Sequence, residues 1–137
     1  MTDIAAPPTT TTLSIAEVAE ETGLSIDTLR WYERQHLFPP VNRDSAQRRR
    51  YTDDDLARIQ LMLRLRRTGM PVKDIRRFVE LLAGGTETHP ERLALLRAHR
   101  RRILSDMDQL TRDLHAVDFK IHHYTELIAD GLDCVPG

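Results

Sequence analysis

The sequence predicts a mainly α-helical fold: a helix-turn-helix head, then one long helix built to pair with a second copy. Three observations carry this. Residues 15–33 (IAEVAEETGLSIDTLRWYE) hold two short amphipathic stretches separated by Gly23. Apolar residues recur in steps of three and four from Leu93 to Ile128. Arginines cluster between and after the first helices, where a face for phosphate can form.

Composition narrows the classes further. The chain has 137 residues, 40% hydrophobic and 30% charged, with a formal net charge of -1. That is about one domain's worth of chain with enough apolar content to fold. No apolar run approaches the ~20 residues a membrane span needs, so no membrane partner is expected. One cysteine excludes an internal disulfide framework and a four-cysteine metal or iron–sulfur site within one subunit. No apolar signal core follows Met1, which makes the reducing cytoplasm the expected location. The near-zero net charge hides an uneven distribution. Residues 1–29 carry five acids and no base, residues 30–50 carry six arginines against Glu33 and Asp44, and residues 58–77 carry seven bases against Asp74.

The elements follow in order. Residues 1–12, with Pro7, Pro8 and a run of threonines, read as a disordered tail. The head is expected over residues 13–85. Ser14 with Glu17 forms a capping box for a first helix to about Glu21, which Gly23 ends. Ser25 caps a second helix to about Gln35, with Ile26 and Leu29 at helical spacing. Pro39 and Pro40 forbid its continuation. Residues 43–52 (RDSAQRRRYT) are polar and fit a short two-stranded loop. Thr52 caps a third helix whose first turn, Asp53 to Asp55, favours the helix dipole. Pro71 opens a fourth with Ile75, Phe78, Val79 and Leu82 on its apolar face, and Gly84 and Gly85 stop it.

The last helix is expected over residues 90–129, followed by a short tail of residues 130–137. Leu93, Leu96, Ile103, Met107, Leu110, Leu114, Val117, Ile121, Tyr124 and Ile128 keep one phase, broken only by Arg100. Such a helix is roughly 55 Å long. Nothing else in so short a chain can cover the stripe, so the residues predict a homodimer through a coiled coil.

The head carries the functional signal. Val18 and Ala19 offer a small apolar face against which Leu24 and Leu29 pack, and Gly23 allows the sharp turn. The second helix then presents Ser25, Asp27, Thr28, Trp31 and Arg34 outward. Arginine and threonine suit a DNA groove, reading guanine, a thymine methyl or phosphate. No nucleophile–base pair, paired carboxylates or phosphate loop argues for an enzyme. A coiled-coil module that binds another protein, or an effector-independent architectural DNA-binding protein, are the rival readings.

Residues 15–82 resemble the DNA-binding domain of the MerR family of bacterial transcription regulators. The resemblance rests on GLSIDTLRWYERQHLFPP (residues 23–40), Arg43 with RRRY (48–51), TDDDLARI (52–59) and GMPVKDIRRF (69–78). The long last helix is similar to the family's antiparallel dimerisation coil. The resemblance implies a winged helix-turn-helix with the helix from Ser25 in the major groove and residues 43–51 as the wing. Arg30, Trp31, Tyr32 and Arg34 match the family's DNA-contacting element, and Arg49 and Tyr51 match its wing residues. Arg43 and Arg48 add charge to the wing, Ser14 and Thr28 are expected phosphate contacts, and Lys73 is a further backbone candidate. The expected partners are double-stranded promoter DNA, bent and untwisted at a near-palindromic site, a second copy, and RNA polymerase.

The chain departs from the family pattern at His36, where many members have the glycine ending the recognition helix, and at Gln47, often a wing-tip glycine. His36 is expected to take a left-handed conformation or to reshape the turn, and Gln47 to alter the wing. No cofactor is expected. Cys134 stands alone where metal sensors pair thiolates, and His115 and His122 lie two turns apart, so no metal site is expected. The family's usual small-molecule effector stays unidentified from these residues.

Overall fold

The computed structural model describes residues 11–131, so the sequence calls on residues 1–10 and on the tail with Cys134 fall outside it. Five α-helices follow one another: α1 (Ile15–Thr22), α2 (Ile26–Arg34), α3 (Asp53–Arg67), α4 (Val72–Ala83) and α5 (His89–Ala129), with a 3-10 turn at Gly85–Thr88 before the last. The described residues contain no extended strand. The expected two-stranded loop is reduced to two isolated antiparallel bridges, Leu13 with Tyr51 and Arg43 with Arg49. A four-residue turn leaves room for little more pairing.

Local chemistry sets the helix ends. Ser14–Glu17 and Thr52–Asp55 form complete capping boxes, and Gly23 ends α1 at φ 75. α2 and α3 close by the same device, an amide five residues on returning to a carbonyl of the last turn. In α3 the amide of Met70 donates to the Leu65 carbonyl at 2.9 Å and Gly69 takes φ 100. In α2 the amide of Leu37 donates to the Tyr32 carbonyl at 2.9 Å, and His36 takes φ 58. The left-handed option at His36 is therefore the one adopted, with Leu37, 1% exposed, anchoring the turn in the core. Arg76 of α4 adds a second lock, donating from Nε to the Gln35 carbonyl at 2.8 Å and from Nη2 to the Gln35 Oε1 at 3.2 Å.

The chain divides after His99 into two units. The first has one core, with Val18 and Leu29 from the first helix pair, Leu37 and Phe38 from the connector, Tyr51, and Ile59, Met62, Ile75 and Phe78 from α3 and α4. Leu95 and Leu96 of α5 pack on that core, and His99, 6% exposed, meets the Thr68 hydroxyl at 2.7 Å. The first turns of α5 thus belong to the head, and the boundary moves from residues 85–90 to residue 99. Leu96, expected in the dimer seam, packs on this core. The same Thr68 hydroxyl lies 2.7 Å from the Arg64 carbonyl, so it ties His99 to the last turn of α3.

The second unit is the remainder of α5. Met107, Leu110, Leu114, Val117, Ile121 and Ile128 are each more than half exposed, and Ile103 and Tyr124 are half-buried. No helix among the described residues is long and apolar enough to cross a membrane.

Candidate nucleic-acid interface

The candidate surface forms where the N-terminus of α1, the exposed side of α2 and residues 43–51 meet. The turn of that segment, the expected wing, is built by Asp44. Its carboxylate accepts from the amides of Ala46 at 2.9 Å and Arg48 at 3.0 Å, and the Gln47 amide donates to the Asp44 carbonyl at 2.9 Å. The Arg48 amide is the main reason the Asp44 carboxyl lies below its ordinary pKa. Gln47 adopts φ 64, so the turn keeps a glycine-like backbone at that position.

Glu33 of α2 organises the segment from the other side. It accepts from Arg43 Nη2 at 3.4 Å and pairs with Arg49 Nε. The bond to Glu33 makes the Arg49 guanidinium more basic than usual despite its burial. Arg43 Nη1 also donates to the Gln47 carbonyl at 3.0 Å, straddling the turn. Arg50 donates to the Thr12 hydroxyl at 2.9 Å and the Thr12 carbonyl at 3.1 Å. Arg48 pairs with Asp44 at 3.3 Å but keeps 77% of its side chain exposed.

These elements enclose an open cavity of about 330 Å³ lined by Ser14, Ile15, Arg30, Arg43, Gln47, Arg48, Arg49 and Arg50. Five arginines line one concavity, and the planar forks of guanidinium groups suit phosphate oxygens. Of the residues singled out from sequence, Ser14, Arg30, Arg43, Arg48 and Arg49 meet here.

The others are placed as follows. Trp31, 46% exposed, and Arg34 lie on the open side of α2. Tyr32 is half-buried, stacked on Phe38 with centroids 4.9 Å apart and edge-on to Trp31 at 5.4 Å. Thr28 is held at the start of α2 by Ser25, its hydroxyl 2.8 Å from the serine oxygen. Ser14 is occupied by the capping box, its amide donating to Glu17 at 3.0 Å. Lys73 is exposed on α4, away from the cavity lining.

Tyr51 is a correction. It is 4% exposed and part of the core, and burial is the chief reason its hydroxyl pKa is raised. It supports the wing from beneath instead of offering a surface. Two residues not singled out from the sequence belong to the site: Glu33, which holds Arg43 and Arg49, and Arg50, which lines the cavity. Arg30 lies 4.0 Å from Asp27. Among the described residues no group of three or more His, Cys, Asp or Glu is placed to hold a metal ion.

Comparison with known proteins agrees with this geometry. Residues 13–82 match the family described as MerR HTH family regulatory protein, and residues 56–119 match the one described as MerR, DNA binding. An uncharacterized HTH-type transcriptional regulator of Haemophilus influenzae is 38% identical over 120 residues, covering 88% of this chain and 89% of that one. The crystal structure of HiNmlR, a MerR family regulator lacking the sensor domain and bound to promoter DNA, is similar with a TM-score of 0.80 and 37% identity. That match covers 88% of this chain and 96% of HiNmlR. A MerR-family transcriptional regulator from Bacillus thuringiensis matches with a TM-score of 0.77 at 28% identity, over 82% of this chain and 99% of that one.

Proposed function

The chain belongs to the MerR family of helix-turn-helix regulatory proteins, and from that premise we propose that it is a sequence-specific DNA-binding transcription regulator acting on promoter DNA as a homodimer. The five-arginine cavity between α1, α2 and the wing carries this reading, because it offers a ready seat for the phosphate backbone beside an exposed helix. HiNmlR, similar over 88% of this chain, is bound to promoter DNA. In this reading α2 enters the major groove with Arg30, Trp31 and Arg34 toward the bases. Arg43, Arg48 and Arg49 hold the flanking phosphates, with Ser14, Thr28 and Lys73 as further backbone contacts. Tyr32 fixes the helix through its stack on Phe38.

The uncovered apolar stripe of α5 supports the homodimer, since an exposed patch of this extent marks an interaction site. Two copies place two reading helices on a near-palindromic site, and bending and untwisting that site lets RNA polymerase engage it. Such a protein works in the cytoplasm and catalyses no reaction of its own. Selection of bound fragments from random duplex DNA tests the proposal. The expected result is a two-fold related motif whose affinity falls steeply with added salt. Recovery of no motif, with binding indifferent to salt, overturns it.

A further inference from the structure

We propose that Arg76, on α4 and outside the lining of the arginine cavity, is a positioning residue for DNA recognition: it fixes the tilt of α2 and so sets sequence specificity without contacting DNA itself. The proposal deepens the reading of α2 as the helix that enters the groove, and rests on it. The Arg76 guanidinium forks around the end of α2. Nε donates to the Gln35 carbonyl at 2.8 Å and Nη2 to the Gln35 Oε1 at 3.2 Å. One side chain thus holds both the backbone and the side chain of the residue that closes the helix. Its positive charge also lies where the dipole of α2 is negative.

α2 needs such a hold. It is nine residues long, and Leu29 is its only buried residue. A helix held at one point pivots about it. Gln35 lies six residues beyond Leu29, about 9 Å along the axis at ~1.5 Å per residue. A tilt of ~10° moves that end by roughly 1.5 Å, more than the ~0.5 Å within which a recognition contact has to be held. Tyr32 rests on Phe38, and Leu37 fills the core beyond the turn, but apolar contacts carry no direction and tolerate sliding. Glu33 ties α2 to a turn with one isolated bridge. The two Arg76 bonds are directional and oppose the pivot.

α4 is a firm base for the hold. Ile75, Phe78, Val79 and Leu81 are all buried, and Arg76 follows directly on Ile75. The next residue, Arg77, reaches a different helix, its Nη2 donating to Glu91 in the first turn of α5 at 2.9 Å. Adjacent arginines therefore tie α4 to α2 and to the root of α5. Both acceptors of Arg76 are neutral oxygens, so the contact works by geometry more than by charge. A lysine keeps the charge but offers one compact ammonium in place of a planar fork.

Titrations of the full chain test this with two probes: the duplex that the parent selects from random DNA, and a scrambled duplex of the same composition. A parent that binds both equally defeats the reading of α2 and the proposal with it. Arg76→Lys, shown by melting to be folded, is expected to bind the selected duplex about tenfold more weakly, the cost of roughly one misplaced base contact. Its affinity for the scrambled duplex and its salt slope are expected to stay as in the parent. In the free protein the fluorescence anisotropy of Trp31, the chain's one tryptophan, is expected to fall. The amides of Gln35 to Leu37 are expected to exchange faster, with those of α3 unaffected. Gln35→Ala keeps Arg76 and removes one acceptor. It is expected to move the same readouts by less, and it decides the matter if Arg76→Lys does not fold. A ratio of the two affinities unchanged in both variants, whether both affinities fall together or neither moves, overturns the proposal. So does full specific affinity in Arg76→Lys with a salt slope reduced by about one in Arg76→Ala, the mark of a phosphate contact.

Discussion

Glu33 and Arg49, sixteen residues apart in sequence, form an ion pair that ties α2 to the wing. Arg43 joins the same carboxylate from the opposite limb of the turn. Glu33 therefore positions two cations of the cavity at once. Glu33→Gln removes the charge while keeping the shape. It is expected to raise affinity for unrelated duplex DNA, since two guanidinium groups lose their anion, and to lower the ratio of specific to non-specific binding several-fold as the wing loosens. Parallel titrations with the selected site and a scrambled duplex check it; an unchanged ratio refutes the positioning role.

Arg30 stands 4.0 Å from an Asp27 that is 96% exposed, a contact too weak to hold it. Arg30→Ala is expected to reduce promoter affinity by about 10- to 100-fold, the value of a lost base or phosphate contact, with the dimer intact. Footprinting with sedimentation reads both outcomes. Tyr32→Ala is expected to lose binding too, with a loss of stability from the broken stack on Phe38.

Asp introduced together at Leu110 and Leu114 places charge in the centre of the seam. The expected product is a folded monomer, measured by sedimentation, with helical content largely kept in the head.

His36 holds the left-handed conformation that glycine adopts freely. His36→Gly is expected to raise stability by about 0.5–1 kcal/mol, the relief of the backbone outweighing the added freedom of the unfolded chain. Denaturant melts of the two proteins measure the difference.

The pH response has a worked sign at both ends. Asp44 has a lowered carboxyl pKa, so its contribution to the turn is intact above the ordinary carboxylate range near ~4 and is lost as pH falls through the folded value. Tyr51 has a raised pKa, so its contribution is intact below about 10 and is lost as pH climbs through the folded value. Amide resonances of Ala46 and Arg48 are expected to shift at the acid end, and Asp44→Asn to abolish that step.

The α5 stripe, the capping boxes and the helix-turn-helix core were legible because each depends on spacing along one segment. The closure at Gly23 was legible for the same reason, and the His36 departure pointed to its own backbone strain. The burial of Tyr51 was not, because it depends on Leu13 bridging to it from 38 residues away. Glu33 was visible as a charge, but only the folded turn brings Arg43 and Arg49 to it. His99 lay outside the seam register and looked like one more polar helix residue. Its burial follows from the approach of the end of α3, which no local pattern encodes.

The contact at Thr68 places two demands on position 99. A side chain there must fit beside the end of α3 and bring a polar atom to within reach of the Thr68 hydroxyl, as His99 Nε2 does at 2.7 Å. A leucine would meet the first demand and fail the second. The root of the long helix is thus keyed by hydrogen bonding as well as by size.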